Sequence, residues 1–329
     1  MIAALSRKLA ERYVFPEKAT AIGEELTRRD QSGDYAETLA AADFAARLKS
    51  DLREVGDDLH FGVSFDPDFV EPSFEAPRAP TAEEIAQQQA LHQRNGYGIE
   101  RVERLSGNIG YLKVRGFMSP EFTAAAYEAA ISLIAGSHAI IVDLRSNNGG
   151  DPQSVAQLMS HFFARGDQRH LNSIYHRPSD TTREFWTNPA VQTRYQGPVY
   201  VLTSRRTFSA GEEFAYDMQT HKRGTLVGET TAGAANPGGV IKLAHGFTAF
   251  IPDGLPINPI TGTNWEHVGV SPDRATAASE AMSAAYRAAL KAAMANEAEP
   301  QRKARLAKTL DRFEAGKVNL PQWANPTEN

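Results

Sequence analysis

The sequence predicts a mixed α/β fold, with a layered core following a helical N-terminal segment. Three observations carry that expectation. Two short apolar runs, Ala139-Ile-Ile-Val-Asp-Leu144 and Val199-Tyr-Val-Leu-Thr203, show no alternation and so fit strands buried on both faces. Each is followed by a stretch with helical spacing, 151–164 and 210–221, and strands alternating with helices argue for layers. Residues 1–58 instead repeat apolar positions every three or four residues (Ile2, Leu5, Leu9, Tyr13, then Leu39, Ala42, Phe44, Leu48), which predicts helices around the turn Asp30-Gln-Ser-Gly-Asp34.

The remaining elements follow in order. Residues 63–80, rich in Pro and Asp, predict a loop, and 81–93 a polar helix in which Thr81 and Glu84 form a capping box. Ile109–Val114 reads as a strand, and 119–135 as an amphipathic helix opened by Ser119-Pro120. Asp151 and Pro152 are an N-cap and first helical residue for 151–164. Short β segments are expected at 225–227, 240–243 and 247–251, then helix from Ala275 and a polar tail, Pro321–Asn329. These elements suggest an N-terminal helical domain (1–62), a linker with one helix (63–104), a core (105–285) and a helical C-terminal extension (286–329).

Composition narrows the function. With 35 Lys+Arg against 40 Asp+Glu, the net charge of −5 gives no electrostatic reason to expect nucleic acid as a partner. The absence of cysteine excludes thiol nucleophiles, thiolate metal sites and disulfides together. No apolar run is long enough for a transmembrane helix. The first residues lack the apolar stretch of a signal peptide, because Arg7, Lys8, Glu11 and Arg12 interrupt it. A cytoplasmic protein and an exported, processed one are both compatible with that. No H-E-x-x-H or other metal-ligand spacing occurs, so neither metal nor cofactor is expected.

Three places could carry chemistry. In Thr207-Phe-Ser-Ala-Gly-Glu-Glu213, Ser209 sits where a strand gives way to a helix. One reading is a capping box with Glu212. The other is a nucleophile beside free N–H groups at a helix start, able to attack a carbonyl and stabilise the oxyanion. The segment is not the G-x-S-x-G elbow, because Thr207 stands at the first glycine position. The second place, Asp143-Leu-Arg-Ser-Asn-Asn-Gly-Gly-Asp-Pro152, is strong turn chemistry. Its paired glycines also allow close backbone approach to a ligand, but no Lys-Ser/Thr follows as in a phosphate loop. The third is a general base among nine histidines, of which His60 and His267 are the candidates.

Four blocks together resemble the tail-specific, or C-terminal-processing, serine peptidases: GNIGYLKVRGF (107–117), AIIVDLRSNNGGDP (139–152), GPVYVLTSRRTFSAGEEFAYDMQTHKRGTLVGETTAGAANPG (197–238) and WEHVGVSPD (265–273). That superfamily includes the tricorn protease core and the modules of interphotoreceptor retinoid-binding protein. The order and spacing match over residues 105–285, and the preceding helical segment resembles the retinoid-binding-protein-like branch. The resemblance implies a ββα-type, crotonase-like core and places Ser209 on the catalytic serine. C-terminal-processing members pair that serine with a lysine, but Ala234 stands at the lysine position, and Lys242 lies outside the motif. The stretch between His60 and the core is also too short for a PDZ domain. The tricorn-type branch uses Ser, His and Glu, and His60 and Glu266 fall on its matching positions. Leu59 replaces the serine that precedes its histidine. The oxyanion donors implied are the N–H of Ala210 and that of Gly149 or Gly150.

The expectation is therefore a serine peptidase acting on a peptide or protein through Ser209, His60 and Glu266, with an acyl-enzyme intermediate and no cofactor. The alternative is a binding module for an apolar ligand such as a retinoid or fatty acid, on the same scaffold. Oligomerisation is compatible with either.

Overall fold

The computed structural model describes residues 1–36, 40–71, 80–318 and 320–321. Leu39, part of the 63–80 loop and the tail beyond Pro321 lie outside them. In chain order the elements are α1 (Ile2–Arg12), α2 (Pro16–Gln31), α3 (Ala41–Gly56), β1 (Gly62–Phe65), α4 (Ala82–Arg94), β2 (Ile99–Leu105), β3 (Ile109–Val114), α5 (Pro120–Ile134), β4 (Ala139–Asp143) and α6 (Pro152–Met159). There follow β5 (His170–His176), β6 (Thr181–Trp186), β7 (Val199–Thr203), α7 (Ala210–Thr220), β8 (Thr225–Gly228), β9 (Gly238–Lys242), β10 (Phe247–Pro252), β11 (Gly254–Ile257), β12 (Arg274–Ala275), α8 (Ala278–Asn296) and α9 (Pro300–Glu314). No helix among the described residues is long and apolar enough to cross a membrane.

The chain forms two compact units. The first gathers Met1–Pro80, Asn172–Glu184 and Ala234–His267; the second holds Thr81–Leu171, Phe185–Gly233 and Val268–Asn329. This division departs from the sequence-derived boundaries at 62, 104 and 285, for two physical reasons. β1 is completed by distant strands: Gly62–Phe65 pairs antiparallel with Phe247–Phe250, and β10 then pairs with β9. Residue 285 lies inside α8, an unbroken helix that buries Ala281, Met282, Ala285, Tyr286, Ala289 and Leu290.

In the first unit the apolar stripes of α1, α2 and α3 (Leu5 and Leu9; Ile22 and Leu26; Leu48 and Leu52) form one core with Val63, Ile241, Ala249 and Ile251 of the small sheet. Sequence periodicity finds those stripes because a helix returns to the same face every three to four residues. The sheet β11-β5-β6 belongs largely to this unit, with Gly254 opposite His176. β5, β6 and β11 have no counterpart in the sequence expectation.

The second unit is built on the six-stranded sheet β12-β8-β7-β4-β3-β2, parallel except for the antiparallel β2–β3 pair. β4 and β7 are buried along their whole length, as expected of strands covered on both faces. On one face Tyr111, Ile141 and Leu202 pack with the alanine-rich side of α8 and with Leu306 and Leu310 of α9. On the other, α5 lies against β2 and β3 and α7 against β8, with α6 between them. Gly110 lets α5 close in, since a Cβ there would stand 2.9 Å from the Cβ of Ile134.

Candidate active site

In the second unit, β3, β4 and β7 end at the same edge of the sheet, and the loops after β4 and β7 are sewn together there. Asn147, fully buried, donates from Nδ2 to the Val114 carbonyl (3.0 Å) and accepts the Phe208 N–H at its own carbonyl (3.0 Å). The Thr207 hydroxyl donates to the Leu144 carbonyl at 2.8 Å. These bonds set Gly149 directly against Ser209: a Cβ on that glycine, whose φ is +91°, would lie 2.7 Å from the serine Cβ.

Ser209 itself has φ 53° and ψ −123°, a conformation that non-glycine residues rarely adopt. It is held there from below by Glu212, whose buried Oε2 accepts the Ser209 N–H at 2.8 Å. Oε1 of the same carboxylate accepts from the Thr231 hydroxyl and the Gly233 N–H, both at 2.6 Å. Glu212 therefore does reach Ser209 as its capping partner, and it also anchors the Gly-Glu-Thr-Thr-Ala-Gly segment. A strained serine on a sharp strand-to-helix turn, half-buried, is the backbone arrangement of a nucleophile elbow, here without the elbow's sequence motif.

Of the two glycines offered as oxyanion donors, Gly149 is engaged: its N–H donates to Asn147 Oδ1 at 2.8 Å. The Asn147 side chain turns back over its own loop, which sequence spacing does not reveal. The N–H groups of Gly150 and Ala210 have no acceptor among the described residues.

The first unit holds the other candidate residues. α3 ends with Asp57 in the left-handed conformation (φ 48°, ψ 47°), and the chain turns through Asp58 and His60 into β1. Asp58, 1% exposed, accepts the His60 backbone N–H at Oδ1 (2.9 Å), and at Oδ2 it accepts from Asn236 Nδ2 (3.0 Å) and the Tyr13 hydroxyl (3.4 Å). His60 Nδ1 lies 3.8 Å from Asp58 Oδ1. Glu266 joins them: one ligand atom from each of Asp58, His60 and Glu266 lies within 4.8 Å of the others. Glu266 Oε2 accepts the N–H groups of Ala235 and, at 3.2 Å, Asn236. Asp58 is the residue that sequence reasoning missed. Its signal was an Asx turn two residues before the histidine, and its partners come from residues 13 and 236.

Burial dominates the electrostatics here. It pushes the His60 imidazole down to about 4, with the Arg53 guanidinium adding to the effect. It also raises the Asp58 carboxyl, against the hydrogen bonds from Asn236, the His60 N–H and Tyr13. One histidine and two carboxylates at this spacing are a potential cation-binding group that the sequence spacing did not show. Five N–H and O–H donors point at Asp58 and at Glu266 Oε2.

The competing bases are more exposed than His60. His267 is 41% exposed, with Nδ1 3.4 Å from Asp57 Oδ2. It lies in a turn with φ 65°, and its Nδ1 also comes within 3.9 Å of Glu266 Oε1, so the ring stands at the edge of the cluster. Lys242 is exposed at the end of β9. Ala234, at the lysine position of the dyad, is fully buried, and its carbonyl accepts the Trp265 indole N–H at 2.9 Å.

Residues 108–276 match the model of peptidase family S41, and residues 1–94 match the N-terminal domain of peptidase S41 in eukaryotic IRBP. A tail-specific protease of Haemophilus influenzae is 31% identical over 137 residues, which cover 40% of this chain and 18% of that protein. A carboxy-terminal-processing protease of Bartonella bacilliformis is 27% identical over 176 residues, covering 52% and 39%. The matches thus span less than half the length of these relatives. Among solved structures, the photosystem II D1 C-terminal processing protease superposes with a TM-score of 0.52 at 17% identity, covering 84% of this chain and 92% of that one. The tricorn protease gives 0.57 at 13%, covering 95% and 36%. At these identities the structures establish a shared fold.

Proposed function

From the premise that the chain belongs to peptidase family S41, we propose that it is a serine peptidase in which Ser209 is the nucleophile, His60 the general base and Glu266 the residue that orients the imidazole. The observation that carries this reading is the backbone of Ser209. A left-handed φ on a serine costs about 1–3 kcal/mol, and such strain persists where position matters for function. A module that only binds an apolar ligand has no use for it.

The chemistry follows from the groups present. The Ser209 hydroxyl attacks the peptide carbonyl carbon while its proton passes to the neutral His60 imidazole. The negative charge that develops on the carbonyl oxygen is met by the N–H groups of Gly150 and Ala210. The imidazolium then protonates the leaving amine, and an ester to Ser209 remains. Water, deprotonated by the same imidazole, hydrolyses that ester and restores the serine. Glu266 and Asp58 fix the ring and stabilise the imidazolium while it exists. Substrates are peptides or proteins.

A fluorophosphonate, which reacts only with an activated serine, tests this directly. Labelling is expected at Ser209 in the wild type and lost in both Ser209→Ala and His60→Ala. Wild-type protein that stays unlabelled while folded would leave the scaffold as a binding module.

A further inference from the structure

The edge of the sheet that carries Ser209 also carries an unusual number of cations. A cavity of about 270 Å³ opens at the carboxyl ends of β3, β4 and β7, lined by Lys113, Arg115, Arg145 and Arg206, with Ser146 and Asn148 as neutral donors. In open parallel sheets, this end of the strands is where ligands bind. The four cations are not equivalent. Arg145, 3% exposed, forms the floor: Nε and Nη2 hold Asp143 at 3.0 and 2.6 Å, and Nη1 donates to the Ala278 carbonyl at 2.8 Å. Lys113 and Arg115 share one carboxylate, Glu100, at 2.7 and 3.5 Å. Arg206 is exposed and has no acidic partner among the described residues. Four positive groups thus face two carboxylates, and a concave wall concentrates the remaining positive potential.

A second cavity of about 480 Å³, lined by Gly116, Phe117, Met118 and Gly149, shares Arg115 and Asn148 with the first. Gly149 is the residue set against the Ser209 Cβ. The nucleophile therefore stands beside a groove with an apolar stretch that runs, through Asn148 and Arg115, into a cationic one.

We propose that the cationic cavity binds a carboxylate of the substrate, one or two residues from the bond that is cut, and so makes the enzyme selective for acid near the cleavage site. This rests on the peptidase reading. The carboxylate can come from a Glu or Asp side chain or from the end of the substrate chain, since both present the same two oxygens to Arg206, Arg115 and the Ser146 hydroxyl.

A synthetic peptide library, with cleavage sites read by mass spectrometry, identifies a cut sequence. Matched pairs are then compared, Glu against Gln beside the cut and free acid against amide at the C-terminus. One of the two pairs should show kcat/KM about tenfold higher for the charged member, the scale of one charge-assisted hydrogen bond, and which pair does so identifies the source. Arg206→Glu should abolish or reverse that ratio. Arg205→Glu makes the same charge change at an exposed neighbour that does not line the cavity, and should preserve it. Labelling at Ser209 with no acid preference, or with a preference that survives Arg206→Glu, overturns the inference and leaves the peptidase reading standing. Neither labelling nor cleavage overturns both.

Discussion

The two units hold their candidate catalytic groups by different means. In the second, side chains grip backbone: Ser209 carries a positive φ, its N–H is held by the Glu212 carboxylate, and Asn147 and Thr207 tie its loop to the neighbouring strands. In the first, side-chain burial does it: His60, Asp58 and Glu266 sit together largely out of water, and the two carboxylates are held by hydrogen bonds from groups far away in sequence. The difference teaches where each half is vulnerable. A side chain carried on a fixed backbone can be truncated with the scaffold left intact. A desolvated polar cluster loses stability whenever one member is removed, because the others are left buried without partners.

Perturbing each half should therefore give different signatures. The largest effect is expected from Ser209→Ala, which should lower kcat by up to roughly a millionfold, by the precedent of triad serine removal, while the melting temperature stays at the wild-type value. A fall in melting temperature comparable to that of an Asp58 variant would erase the contrast between the units.

Next in size, His60→Ala should cost about a hundredfold to ten-thousandfold in kcat/KM, the range of general-base catalysis, whereas His267→Ala and Lys242→Ala should stay within a few-fold. Loss on His267→Ala with His60→Ala active would move the base to the solvent-exposed turn.

The pH profile sharpens the comparison. An unperturbed imidazole would place the acid limb of kcat/KM between pH 6 and 7. Burial lowers His60 to about 4. Because the base works only when neutral, activity should persist to lower pH and decline as the pH falls towards about 4. The same shift makes the folded state bind fewer protons than the unfolded chain between about pH 6.5 and 4, so stability should fall on acidification through that window. Initial rates across pH 3.5–8 with one fluorogenic peptide, beside denaturation midpoints at each pH, would check both; a limb at pH 6–7 would mean the ring is solvated in the working enzyme.

Asp58→Asn should be smaller in rate and visible in stability. Its Nδ2 would face a hydrogen bond that Asn236 Nδ2 now donates, so about 1–3 kcal/mol should be lost in urea denaturation. Least of all, Leu59→Ser, at a side chain 41% exposed, should change stability by no more than about 0.5 kcal/mol.

The same contrast explains what could be read from sequence. The Ser209 half is made of two loops, each contiguous with a strand and a helix whose patterning is local: an unbroken apolar run, then glycines or Ser-x-x-Glu. Both show in short windows. Even there, the capture of the Gly149 N–H by Asn147 escaped, because side-chain rotamers carry no sequence period. In the first unit, His60 was one of two candidate histidines and was preferred only through family resemblance, which also supplied Glu266; Asp58 was not found at all. Their association depends on α3, the β9-β10 sheet and the turn at Glu266 meeting across about two hundred residues. The strands β5, β6 and β11 went unread because they are partly exposed, β5 and β6 are polar, and β11 finds its partner β5 only far back in the chain.

The discontinuity of the first unit has a consequence for biosynthesis. β1 leaves the ribosome with its last residue at 65, but its partner strand begins at 247. At translation rates of roughly 5–20 residues per second, α1–α3 and β1 wait on the order of 10–40 s before β10 exists to complete their sheet. During that interval the intervening 91 residues from Thr81 to Leu171 emerge, as does the stretch through β7 and α7. The nascent chain therefore holds an unfinished helical layer with an unpaired strand edge while the parallel sheet assembles. Glu266 follows later still, so the cluster of Asp58, His60 and Glu266 cannot close before β9 and β10 have both been made.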